Sequence, residues 1–145
     1  MHRFILALTA FLGAAQMAHA DSRFFCSADD KGVRFTVESG FKAAPGHELN
    51  HFRGALILKN ETAPQPLGRI TLDSDSLTNR WSHDGELRVE VLYDGGKAAG
   101  GQTVNLVVSA EQRNGATAFS GVYDLTVDGG EKPLVLSGKV SCGSK

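Results

Sequence analysis

Beyond residue 20 no stretch of this chain approaches the roughly 20 consecutive apolar residues that a membrane-spanning helix needs. Both methionines, Met1 and Met17, lie before that point, so the remainder offers no thioether of the kind that soft copper(I) sites use. Charge is scarce in clusters of either sign. Without residues 1–20 the 15 basic residues lose only Arg3, leaving 14 against 16 acidic ones and a net charge of −2. That balance shows neither a nucleic-acid footprint nor a patch for anionic membranes. Long helical periodicity is missing too: no run of ten or more residues beyond position 20 combines a 3.6-residue apolar repeat with matching caps.

What stands at the start is a three-part leader. Arg3 supplies the positive end, Phe4 to Ala15 the apolar run, and Ala18-His19-Ala20 the small-x-small ending of a cleaved secretory signal. The expected division is therefore a signal peptide over 1–20 and one mature domain over 21–145. No cysteine stands immediately after the cut, where Asp21 follows Ala20, so a lipid anchor of the bacterial type is not expected. The style of the leader suits a bacterium and a periplasmic or secreted product. A mature length of 125 residues is enough to bury a sizeable core in a single domain.

Only two cysteines are present, Cys26 and Cys142, near the two ends of the mature chain. In an oxidising compartment they are expected to form a disulfide. Their spacing is unlike C-x-x-C, so the reading is a structural staple with no redox role.

The strongest positive signal is alternation with a period of two. Val33, Phe35 and Val37 alternate with Arg34, Thr36 and Glu38; Leu87, Val89, Val91 and Tyr93 alternate with Arg88, Glu90, Leu92 and Asp94. The same pattern gives strands over 23–27, 52–59, 68–73, 103–111, 118–127 and 134–142, eight in all. Asp84-Gly85, Asp94-Gly95-Gly96, Asn114-Gly115 and Asp128-Gly129-Gly130 supply turn chemistry between them. The expected fold is all-β: an eight-stranded antiparallel up-and-down barrel or flattened sandwich, with Cys26 and Cys142 in phase with the apolar positions and joining the first and last strands. A membrane barrel is disfavoured, because the second face carries Arg34, Glu38, Arg88, Glu90, Asp124 and Lys139 where lipid would be.

One motif carries chemistry. His47-Glu48-Leu49-Asn50-His51 matches H-E-x-x-H, which on a helix sets two imidazoles on one face for Zn²⁺ and places the glutamate to deprotonate a metal-bound water. This resembles zinc metalloproteases as far as Gly54, where their extended motif has glycine. The third ligand position is Ile57, which binds no metal. Pro45-Gly46 before the motif and strand alternation after it leave at most about two helical turns. His83 stands apart beside Asp84-Gly85, and no nucleophile elbow is present. Asp73-Ser74-Asp75-Ser76 reads as a polar turn, since it lacks the calcium-loop spacing. Asn60-Glu61-Thr62 fits the glycosylation pattern, incidental in a bacterial chain.

Gly54, Gly121 and Gly138 fall on the apolar faces of their strands. There glycine lets a strand coil, lets another group approach the backbone, or leaves a small apolar cavity. The loops at 39–50, 60–67 and 94–102 are candidate contact surfaces. The leading expectation is a non-catalytic periplasmic or secreted binding module, without a cofactor, engaging a protein partner or a small apolar ligand. The alternatives are a zinc-dependent hydrolase using His47, His51 and Glu48, and a structural subunit of an envelope assembly.

Overall fold

A computed structural model describes residues 23–41, 49–59, 67–83, 85–114 and 116–144. The expected leader at 1–20 and the Asn60-Glu61-Thr62 tripeptide lie outside them. The described residues form one antiparallel sheet of nine strands: β1 (Arg23–Asp29), β2 (Val33–Phe41), β3 (Leu49–Leu58), β4 (Arg69–Asp73), β5 (Leu77–His83), β6 (Glu86–Asp94), β7 (Thr103–Glu111), β8 (Ala118–Asp128) and β9 (Leu134–Ser144). Their spatial order is β4-β3-β2-β1-β9-β8-β7-β6-β5. All eight expected strands are there, and β5 is an addition. The segment expected as loop at 39–50 is strand at both of its ends: β2 continues to Phe41 and β3 begins at Leu49.

The order resolves into two meanders, β1–β4 and β5–β9, that meet where the first strand pairs with the last. Four positions carry that junction, from Phe24↔Ser144 to Ser27↔Ser141, with Cys26 directly opposite Cys142. The two cysteines are disulfide-bonded, with Cα atoms 4.1 Å apart, the close spacing of a non-hydrogen-bonded cross-strand pair. The sheet rolls into a nearly closed barrel whose ends, β4 and β5, are linked by the 3₁₀ turn Ser74–Ser76. Asp73 caps that turn by accepting from the Asp75 N–H at 3.0 Å.

Alternation explains why the sheet has an inside. In β1 and β4 every second residue is buried, and the same holds through most of β6 and β7. The core is one cluster that includes Phe24, Phe35, Leu56, Ile70, Val89, Leu106, Tyr123, Leu125 and both cysteines. Tyr123 and Phe35 meet edge to face at 5.2 Å and 85° in the barrel interior, a pairing worth about 0.5–1.5 kcal/mol beyond its buried area. The turns use the chemistry read from the sequence. Asn114 holds φ 54° and Gly129 φ 101°, the left-handed region where a larger side chain is strained. Among the described residues no helix is long and apolar enough to cross a membrane.

Candidate functional site

The three inward glycines divide into two kinds. At Gly138 a methyl group would meet the Asp30 carboxylate at 2.8 Å and the Tyr123 ring at 2.8 Å, so its missing side chain is the space these two occupy. There the Tyr123 hydroxyl donates to Asp30 Oδ2. Asp30 Oδ1 accepts from the Gly32 and Val33 N–H groups at 2.9 and 3.1 Å, which fixes the β1–β2 turn. Burial works against ionisation of Asp30. The hydrogen bonds from Tyr123, Gly32 and Val33, with the Lys59 charge nearby, outweigh it, and the carboxyl titrates below its usual value. Burial first, and then the Asp30 carboxylate, push the Tyr123 phenol well above its usual value. Beside this pair, the Lys59 ammonium and then the Arg34 guanidinium, at 3.0 Å, lower the Asp29 carboxyl. This corner is fully engaged with itself and ties the β1–β2 turn to β8.

Gly54 and Gly121 act on backbone instead. A methyl at Gly54 would stand 2.6 Å from the Thr36 carbonyl oxygen, and one at Gly121 only 2.0 Å from that of Ser109. With nothing projecting inward, the strand pairs β2–β3 and β7–β8 approach closely and the sheet bends toward the interior. Each of the two positions lies beneath a depression on the opposite, outer face.

Over Gly54 that depression is a groove of about 650 Å³ across β1–β4. Its outward lining is Phe25, Ser27, Thr36, Glu38, Arg53, Ala55 and Thr71, while the inward residues Cys26, Val37 and Leu72 are buried beneath it. The register accounts for the shape. Ser27↔Thr36, Thr36↔Ala55 and Ala55↔Thr71 form one row of short side chains straight across the four strands. Longer side chains stand on both sides. Phe25, Glu38 and Arg53 make one wall, with Glu38 accepting from Arg53 Nε; Asp29, Arg34, Ile57 and Arg69 make the other row. Phe25 remains 45% exposed, and its ring tip overhangs Gly143, which it faces on β9. Over Gly121 the second depression, of about 390 Å³, is lined by Arg88, Ser109, Glu111, Ser120 and Val122.

Of the residues singled out from the sequence, His47 and Glu48 lie outside the described residues. His51 belongs to β3, where Leu49 and Asn50 pair with Phe41 and Gly40. Three of the five motif positions are therefore extended, and the helical frame that sets both imidazoles on one face is absent over 49–51. Among the described residues no group of three or more His, Cys, Asp or Glu side chains is placed to hold a metal ion. Cys26 and Cys142 are together, as expected. The groove itself was not anticipated, although Gly54 at its base was the available signal. Comparison with protein-family models, with curated proteins and with solved structures gives no match to this chain.

Proposed function

We propose that this protein is a secreted, non-catalytic binding module that engages its partner on the outer surface of the barrel, in the groove over β1–β4. The groove, with the half-exposed Phe25 on its wall, is the observation that carries the reading. The interior supports it from the other side. Tyr123, Phe35, Leu56, Ile70 and Leu106 fill the space where a barrel of this size would otherwise hold one small apolar ligand, so an external partner is favoured over an internal one. Export is supported by the leader at 1–20 and by the disulfide, which forms and persists in oxidising compartments.

A photo-crosslinking side chain at Thr71, in the groove, compared with one at Asp124, on the outer face of β8, tests this in envelope extracts of the protein's own host. Adducts from position 71 and none from position 124 are expected. Equal adducts from both, or none from either, would overturn the reading.

A further inference from the structure

We infer that the groove over β1–β4 receives a neutral, linear, β-1,4-linked glycan; this rests on the binding-module reading and supplies its ligand class. The groove's size comes first. About 650 Å³ falls in the range of small-molecule sites, large enough for a short oligosaccharide.

Its chemistry comes second. Ser27, Thr36 and Thr71 present hydroxyls that take part in no side-chain hydrogen bond among the described residues, leaving each able to donate and accept. Glu38 and Arg53 are partners of one another, so the wall offers planar hydrogen-bonding groups with their charges mutually cancelled. Such a lining matches a ligand rich in hydroxyls and free of net charge. Phe25 adds a half-exposed aromatic surface, against which the apolar C–H face of a sugar ring packs.

Spacing then separates a glycan from a peptide. The row of short side chains runs perpendicular to the strands, so its repeat is the inter-strand distance of roughly 4.8 Å, with hydroxyls at three of its four positions and Ala55 at the other. A β-1,4-linked pyranose advances along its chain by close to that distance, because equatorial linkages at both ends give a straight ribbon. Side chains on one side of an extended peptide repeat at roughly 6.7 Å and fall out of phase within two strands. An α-1,4-linked glycan coils and leaves the row. The acidic pair Glu86↔Glu111, in register with Ser120 beyond β9, disfavours a polyanion along the same track.

Titration of the secreted, disulfide-bonded protein, followed by amide NMR, tests the inference. The probes are cellohexaose and chitohexaose, with maltohexaose and an uncharged extended peptide as controls. Shifts at Phe25, Ser27, Thr36, Ala55 and Thr71 with the β-1,4 hexasaccharides are expected. Affinity should weaken about tenfold in Phe25→Ala and in Thr36→Val, the latter keeping shape while removing the hydroxyl. An unchanged amide spectrum away from the groove establishes that each variant is folded. No shift at millimolar hexasaccharide, an equal response to maltohexaose, or shifts confined to another face would overturn the glycan assignment. A response to the peptide alone would overturn it too, while leaving the binding-module reading in place.

Discussion

Two glycines that look alike in sequence are expected to differ sharply when a methyl group is added. At Gly121 the new carbon would lie 2.0 Å from the Ser109 carbonyl oxygen and 2.6 Å from the Ala110 Cα, both backbone atoms of a paired strand. Neither moves without separating β7 from β8, so Gly121→Ala should cost about 2–3 kcal/mol, the upper range of overpacking. At Gly143 the obstacle is the tip of the Phe25 ring, at 2.2 Å, which swings away about its own side-chain torsions. Gly143→Ala should cost below about 1 kcal/mol. Urea unfolding of the two variants checks the contrast, and equal losses would contradict it. Tyr123→Phe removes the hydrogen bond to Asp30 and should cost about 1–2 kcal/mol. Its pH signature has two limbs. The Tyr123 phenol is raised in the folded state, so its contribution is fully present below about pH 10 and is lost as pH rises through the folded value. The Asp30 carboxyl is lowered, so its contribution is present above about pH 4 and is lost as pH falls through the folded value. Chemical denaturation from pH 2 to 11 should show Tyr123→Phe losing the alkaline limb and shrinking the acid one. A variant with the parent's pH profile would refute the linkage.

At the scale of elements, the two ends of the sheet set the order of opening. Among the described residues β4 pairs only with β3 and β5 only with β6, whereas β8 and β9 share ten paired positions from Ala118↔Gly143 to Val127↔Leu134. Amide exchange should therefore be fastest along the outer edges of β4 and β5 and slowest in β7, β8 and β9. Protection of β4 matching that of β8 would contradict this. The strand that best shows the limits of sequence reading is β5. Leu77-Thr78-Asn79-Arg80-Trp81-Ser82-His83 has no apolar alternation, and its pairing with β6 slips between Leu77 and Asn79, so the period of two is broken within the strand. The extension of β2 is hidden in the same way by the register shift between Glu38 and Gly40. Where alternation is unbroken, as in β1, β6 and β7, sequence alone locates the strand and its buried face. The groove is less legible. Ser27, Thr36, Ala55 and Thr71 become neighbours only through three separate registers, and register depends on long-range pairing that no local pattern encodes.

For the whole molecule, the disulfide sits at the narrowest point of the architecture. Each meander holds itself together by hairpins, but among the described residues the two are joined in the sheet by β1 and β9 alone, over four paired positions. Cys26 and Cys142 are 1% and 5% exposed inside the barrel, so the bond is shielded from reductant while the protein is folded. The sequence separation of 116 residues makes the closed loop span all nine strands' connections, and chain entropy assigns it about 5 kcal/mol. Two effects therefore add in a Cys26→Ala/Cys142→Ala variant: a less constrained unfolded chain and a junction held only by its hydrogen bonds and packing. The variant should lose about 5 kcal/mol or more in guanidinium unfolding. Its amide exchange should accelerate first at 24–27 and 141–144, ahead of β7 and β8, because separation there parts the two meanders without breaking a hairpin. Uniform acceleration across all nine strands would mean that the bond acts on the unfolded chain alone. Loss of exchange protection confined to β4 and β5 would place the weak point at the open ends of the sheet and not at the stapled junction.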